Sequence, residues 1–371
     1  MEQKLPMLNR REFLLNASMA LAAAKCIPNQ SPLGLKDRAN CAPWLVGGEI
    51  TYAEILSDAP LASRFVRDFG IATPGIELKW QTLHRAPGEY KFDYADKFMS
   101  WVQQNRMLVR GHNLVWPNYG TPQWVMDSAT RSNAPSILEE HINTVVRRYA
   151  GKIHSWDVLN EGLNVWDKRA DLLALHPWAE LIGPEYIDMA FHTAASADPH
   201  ARLIWNQNYL ESDDAGDQQN RDAMLVQLRR LKSAHVPIHG IGIESHLFAD
   251  KPLATSNMER FIGEVRSLGL EVQITEFDII DTQLPAAIER RDQLVADAYK
   301  RYLELMIPLA NPTVIGFWSF SDRRNWLDWA AKSSPKYMRP DGAPHRPGLL
   351  DTDLHEKPAY VAVGEVLSRS K

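Results

Sequence analysis

Two glutamates close apolar runs that would not ordinarily carry a charge. Glu276 lies in Gln273-Ile274-Thr275-Glu276-Phe277-Asp278, with Leu270 and Val272 before it and Ile279-Ile280 after it. A short run rich in β-branched residues reads as a buried strand, and a carboxylate in one must point somewhere useful. Glu161 ends the similar stretch Trp156-Asp157-Val158-Leu159-Asn160-Glu161, and Gly162 follows at once. Two strands that each end in a glutamate predict paired carboxylates at the mouth of a barrel, the equipment of general acid/base chemistry. Either glutamate alone reads as well as an idle loop residue; in the company described next, the pair does not.

The elements that must hold them begin near Trp44, where short apolar strands alternate with helical segments, the signature of a parallel sheet with crossover helices. Strand-like runs end near Val46-Gly47-Gly48-Glu49, Ile71 to Glu77, Leu108 to Trp116, Ser155 to Glu161, Leu203 to Asn208, Ile241 to Leu247, Val272 to Ile279 and Val314 to Phe320. Helical spacing of apolar residues marks Ser63 to Phe69, Tyr94 to Asn105, Pro135 to Tyr149, Pro184 to Ala197, Asp217 to Ala234, Ser256 to Leu268 and Ala286 to Leu309. The pattern predicts one α/β domain, a single (β/α)8 TIM barrel, with its chemistry at the C-terminal strand ends. Those ends carry Lys79 and Trp80, His112 and Trp116, Asn160 and Glu161, Asn206, Glu244 and His246, Glu276 and Asp278, and Trp318. A lone histidine or tryptophan there reads as core; their recurrence at one end predicts a polar, aromatic cleft.

Composition narrows the partner. A chain of 371 residues with 45% hydrophobic content can bury a large core. A formal net charge of −5 without a basic block argues against nucleic acid. Twelve tryptophans, many at strand ends, supply faces on which a sugar ring can stack.

Residues 1–42 are expected to be a targeting segment and tail, and 43–371 the catalytic domain. Asn9-Arg10-Arg11-Glu12-Phe13-Leu14-Leu15 resembles a twin-arginine export signal, and the apolar stretch to Ala24 is too short to span a bilayer. Small residues at Ala20 to Ala24 offer a cleavage site, which predicts a periplasmic or extracellular protein without membrane attachment after signal removal. A lipid anchor at Cys26 is the weaker rival, because Lys25 stands where a small residue is expected. Cys26 and Cys41 both precede the domain, so the barrel is expected to hold no disulfide and no thiolate metal site.

The strand-end motifs resemble glycoside hydrolase family 10, the retaining β-1,4-xylanases. The likeness runs from about Val46 to Val363 and includes Arg110-Gly111-His112-Asn113-Leu114-Val115-Trp116, Trp156 to Glu161, Gly240-Ile241-Gly242-Ile243-Glu244-Ser245-His246 and Ile274-Thr275-Glu276. The closing Pro347-Gly348-Leu349-Leu350-Asp351 and Lys357-Pro358-Ala359-Tyr360 match too. The resemblance implies that Glu161 is the acid/base and Glu276 the nucleophile, with His246 and Asp278 beside Glu276. It also implies that Asn160 holds the 2-hydroxyl of the sugar being cleaved, that Lys79, His112, Trp116 and Trp318 line that subsite, and that Trp326 caps it. The anionic nucleophile should raise the pKa of Glu161, and no metal or cofactor is expected.

The departures bear on substrate. The family usually reads Pro-Glu-Asn-Glu-Met-Lys-Trp after strand two, whereas this chain has Pro74-Gly75-Ile76-Glu77-Leu78-Lys79-Trp80. The Glu and Asn that bind the next sugar on the non-reducing side are thus replaced. Pro117 and Tyr119 stand where His and Gln are common, Asn206-Gln207-Asn208-Tyr209 replaces Asn-Asp-Tyr-Asn, and Glu244 replaces Gln. An additional carboxylate at Glu244 should raise neighbouring pKa values, so Glu244→Gln is expected to move the acidic limb of activity to lower pH. The expected function is endo-acting, retaining hydrolysis of β-1,4-xylan by a monomer, on a β-linked polysaccharide or oligosaccharide. The alternatives are the same chemistry on another β-glycoside and a silent sugar-binding barrel, which would have no need of two apposed carboxyls.

Overall fold

The computed structural model describes residues 33–39, 42–117 and 120–369. The twin-arginine stretch, both cysteines and Tyr119 lie outside them. Eight strands make the barrel: β1 Leu45–Ile50, β2 Ile71–Pro74, β3 Leu108–Gly111, β4 Ser155–Asn160, β5 Arg202–Gln207, β6 Gly240–Ile243, β7 Glu271–Ile280 and β8 Val314–Phe317. Each pairs in parallel with the next, and β8 pairs with both β7 and β1, so the sheet closes without an edge. The register is carried by apolar rungs such as Val46 beside Ile315 and Ile274 beside Ile243.

Principal outer helices are α1 Ala59–Asp68, α2 Asp93–Gln104, α3 Ala134–Arg148, α4 Glu185–Ala197, α5 Ala215–Ser233, α6 Thr255–Ser267, α7 Ile288–Ala310 and α8 Pro358–Arg369. Their apolar stripes face the strands: α3 buries Leu138, Ile142, Val145 and Val146, and α7 buries Val295, Tyr299, Tyr302, Leu303 and Met306. Helix α1 starts ahead of the expected Ser63, because Asp58 accepts a hydrogen bond from Leu61 N at 3.1 Å and caps the turn.

The folded body also starts ahead of the expected boundary at residue 43. A turn of helix at Leu35–Arg38 packs against α1 and α8. Leu35 is fully buried and donates its backbone N–H to Asp68 Oδ1 at 3.1 Å, the oxygen that also accepts from Tyr360 Oη at 2.6 Å. One short addition escaped the sequence reading, a hairpin of His84–Ala86 with Glu89–Tyr90, and the run expected over Ile241 to Leu247 divides into β6 and a short strand at His246–Phe248 beside β7. Three-residue strands are too short for a period to show.

The closing motif earns its place through charge. Lys357 Nζ donates to Asp322 Oδ2 at 2.9 Å, Gly348 N donates to Asp322 Oδ1 at 2.8 Å, and Arg346 clamps Asp292. These links tie the chain end to the segment that follows β8 and to α7.

Candidate active site

Glu276 sits in β7 where the pairing with β8 shifts register, between Ile274 and Phe277. Such an irregularity re-aims one side chain, and here it is the carboxylate. Asn206, on β5, donates from Nδ2 to Glu276 Oε1 at 2.7 Å and lies 2.7 Å from Asn160 Oδ1 and 3.2 Å from Glu244 Oε1. Its own carbonyl accepts from Thr275 Oγ1 at 2.6 Å, which fixes the carboxamide. Room for that group comes from Gly242 on β6, where a Cβ would stand 2.2 Å from Asn206 Oδ1.

On the other oxygen, His246 Nε2 lies 3.5 Å from Glu276 Oε2 while Nδ1 lies 2.7 Å from Asp278 Oδ1. Asp278 is fully buried and also accepts from Ser319 Oγ at 2.8 Å and Trp326 Nε1 at 2.6 Å. Burial disfavours the His246 cation, but Asp278 and then Glu276 outweigh it and hold the imidazole well above its usual range. For Glu276, burial would favour the neutral acid; His112, His246 and Arg110 overcome it and hold the carboxyl at about 2.

Glu161 follows β4 with a backbone φ of 50°, a left-handed conformation uncommon for a residue with a side chain and often found at functional sites. Its N–H donates to Asn206 O at 2.9 Å, which holds the turn in place. Burial, reinforced by the charge of Glu276, lifts its pKa to about 7 against the opposing pull of Trp116, His246 and Lys79. The two glutamates are therefore driven apart in acidity, one held ionised and the other able to carry a proton.

A second wall is built from β3 and β4. His112 Nδ1 is 2.8 Å from Asp157 Oδ2 and 3.7 Å from Glu276 Oε1, and Arg110 Nη2 lies 2.5 Å from the same Asp157 oxygen. Lys79 Nζ stands 4.8 Å from the ring centre of Trp116 and 5.8 Å from that of Trp318, and Trp318 packs edge-on to His112 with centroids 5.3 Å apart. Trp326 lies 5.0 Å from His246. All eleven residues expected at the site thus meet in one cluster. Trp80, read as a strand-end candidate, belongs to the core: it is 1% exposed and stacks on His141 at 3.7 Å.

The structure also assembles a group that sequence spacing did not reveal. Glu244, His246 and Glu276 present ligand atoms all within 4.8 Å of one another. Hydrogen-bonding already occupies them: Glu276 is held by Asn206 and His246, and His246 faces Asp278 through its other nitrogen. Burial, with Glu276 and Glu161 adding to it, pushes Glu244 well above the carboxylate range, so that the protonated acid is favoured there. A cation would have to displace protons from the trio before it could bind.

Residues 34–366 match the pattern of glycosyl hydrolase family 10. The chain belongs to that family. It is 34% identical over 303 residues to a β-1,4-xylanase of Dictyoglomus thermophilum, covering 79% of this chain and 81% of the relative. Its fold is similar to native xylanase 10B from Thermotoga maritima, with a TM-score of 0.79 at 30% identity, covering 91% of this chain and 98% of the other. It is similar also to xylanase 10B from Thermotoga petrophila, solved with xylobiose, with a TM-score of 0.80 at 28% identity and coverage of 92% and 99%.

In this family 10 glycoside hydrolase, several positioning residues were not singled out from sequence. Asn206 was read only as a strand-end residue and proves to join Asn160, Glu244 and Glu276. Asp157 and Arg110 lie inside motifs that carry the resemblance, yet nothing in their spacing shows that they meet across two strands. The Glu244-Ser245-His246 turn is anchored from outside the motif: Ser245 N donates to Glu211 Oε1 at 2.8 Å, and Ser245 Oγ lies 2.7 Å from Tyr302 Oη.

Proposed function

We propose that this enzyme is an endo-acting retaining glycosidase that hydrolyses β-1,4-xylan by double displacement. The observation that carries the reading is the divergence of the two strand-end glutamates, with Glu276 held at about 2 and Glu161 lifted to about 7. Xylanase relatives and a neighbour solved with xylobiose support the choice of substrate.

In the first displacement Glu276 attacks the anomeric carbon while Glu161 gives its proton to the leaving oxygen. The glycosyl ester removes the charge of Glu276, which lowers the pKa of Glu161 and turns it into a base for the incoming water. Asn160, steadied by Asn206, is placed to hold the sugar's 2-hydroxyl. Lys79, His112, Trp116 and Trp318 enclose the ring, and Trp326 covers it. Double displacement returns the starting anomeric configuration.

The test is β-1,4-xylan or a soluble xylo-oligosaccharide with the purified chain and its Glu276→Ala variant, read by reducing-end release and by proton NMR of the first product. Glu276-dependent release with the β-anomer appearing first supports the reading; release of the α-anomer first, or release without Glu276, removes it. We also propose export through the Arg10-Arg11 segment to the periplasm or beyond as a monomer. Cell fractionation of wild type against Arg10→Lys/Arg11→Lys tests the export, and light scattering of the purified enzyme tests the oligomeric state.

A further inference from the structure

Three consecutive residues at the end of β5 hold the turn that carries Glu161. Asn160 is registered beside Asn206, so the turn that follows β4 comes against Gln207. The Glu161 N–H donates to Asn206 O at 2.9 Å. Gly162 lies over the Trp205 indole so closely that a Cβ there would stand 2.9 Å from a ring carbon and 2.6 Å from Leu159 Cδ2. The next peptide is gripped by the fully buried Gln207: Oε1 accepts from Leu163 N at 3.0 Å, and Nε2 donates to Leu163 O at 3.3 Å.

The neighbours of Gln207 fix which way its carboxamide points. Oε1 also accepts from Trp205 Nε1 at 3.3 Å, while Nε2 faces Asn208 Oδ1 at 3.0 Å and Asn208 O at 3.3 Å. Turned over, the group would set its amino end against two donors and its oxygen against three acceptors. An aspartate, usual in the family at this position, could accept from Leu163 and Trp205 but has nothing to donate to the Leu163 and Asn208 carbonyls. The glutamine departure therefore suits this loop, and it adds no charge beside Glu161. The left-handed backbone at Glu161, φ 50°, persists only where its surroundings over-determine it. Two of those surroundings, the Leu163 peptide and the Trp205 ring under Gly162, are held by this one side chain.

We propose that Gln207 is the positioning residue for the acid/base glutamate, its carboxamide fixing, through Leu163 and Trp205, the turn that aims Glu161 at the glycosidic oxygen. It touches no substrate; it acts through the backbone. A misplacement of about 1 Å is enough to cost a catalytic group much of its effect. The inference rests on the glycosidase reading above for the role of Glu161. It predicts a loss that depends on how much the leaving group needs a proton, which a general loosening of the barrel would not produce.

The experiment compares xylotetraose with 2,4-dinitrophenyl β-xylobioside in wild type, Gln207→Met, which keeps the length and the burial, and Gln207→Ala. Thermal melting of each variant checks that it folds. On xylotetraose either variant should lower kcat/KM about 10- to 100-fold, part of the 10²–10⁴ that a general acid supplies, and on the dinitrophenyl substrate, whose leaving group needs no proton, by less than about threefold. On that second substrate kcat and KM should fall together, because Glu161 is also the base of the second step, and azide, a nucleophile that needs no base, should restore kcat. Equal losses of kcat/KM on the two substrates overturn the proposal. The titration of the Glu161 carboxyl, followed by carbon-13 NMR of glutamate-labelled enzyme and assigned with Glu161→Gln, reads the turn without turnover. Burial is the main cause that lifts this carboxyl to about 7, and Trp116, Glu276, His246 and Lys79, which also act on it, stay in place, so a loosened turn should move the titration down. If no form turns over either substrate, the hydrolytic reading falls and the titration decides: a signal that moves in Gln207→Met leaves the assignment of Gln207 standing, and one that stays removes it.

Discussion

Asn206 Nδ2 lies 2.7 Å from Glu276 Oε1, and the same nitrogen reaches Asn160 Oδ1 at 2.7 Å. One carboxamide on β5 therefore sets the positions of Glu276, the proposed nucleophile, and of Asn160, the proposed contact to the sugar. Asn206→Ala should reduce kcat/KM by roughly 10- to 100-fold, the equivalent of about 1.5–3 kcal/mol for a hydrogen bond to a charged group. Asn206→Asp should cost more at high pH than at low pH, since a carboxylate there repels Glu276. Rates on an aryl β-xylobioside across pH check both; equal losses at every pH for Asn206→Asp would remove the electrostatic part.

In the proposed mechanism Glu161 must be protonated and Glu276 ionised for the first displacement. With Glu161 at about 7 and Glu276 at about 2, kcat/KM should fall as pH rises through about 7 and hold down to strongly acidic conditions, wherever the fold itself survives. Trp116 is among the groups that favour the ionised Glu161. Trp116→Phe should therefore move the alkaline limb upward, and a pH–rate profile of the two enzymes reads the shift.

Much of this arrangement is legible in the sequence because a barrel translates strand order into spatial order. Each strand end is a sequence position that can be named, and all such ends meet at one mouth. That is why Glu161 and Glu276 can be paired across 115 residues without coordinates. What remains hidden is lateral. Gly75 reads as a lost anchor until β1 is laid beside β2 and Glu49 is seen in the gap. The His112–Asp157–Arg110 chain joins β3 to β4 through side chains whose spacing carries no period. The Leu35 turn lies inside the stretch read as export signal and tail, although the burial of Leu35 makes it part of the body.

Asp278 acts on Glu276 through His246. Asp278→Asn should lower the pKa of His246, which Asp278 now raises, and so weaken the cation beside Glu276. The acidic limb of kcat/KM should rise toward neutral pH, with a fall of order 10²-fold at the optimum. NMR of the His246 ring should show its titration move down in parallel; a limb that stays put while the ring shifts would separate the two groups.

The trio Glu244, His246 and Glu276 offers a divalent cation a site only at the expense of the protons it holds. Added zinc or copper(II) should therefore inhibit, more strongly as pH rises, and a chelator should reverse the loss without raising the rate above that of the untreated enzyme. His246→Asn should weaken this inhibition along with activity. Activation by either metal would point to a bound-cation role for the trio.

Glu244 changes the expectation formed from its sequence position. As a charge it should raise its neighbours; in the structure burial and the two other glutamates raise Glu244 itself. Its protonated form has the donor and acceptor of the glutamine usual in the family, beside Asn206 at 3.2 Å. Over the acidic range Glu244→Gln should thus alter kcat/KM by less than about threefold, since one neutral group replaces another. The difference should emerge on the alkaline side, where ionisation of Glu244 would set a new negative charge beside Glu276. There the glutamine variant should lose its activity at lower pH than wild type, because an ionised Glu244 would repel the charge of Glu161 and so keep the Glu161 proton to higher pH. Superimposable alkaline limbs would show that Glu244 stays neutral throughout, whereas a limb displaced on the acidic side would restore the charge-based expectation.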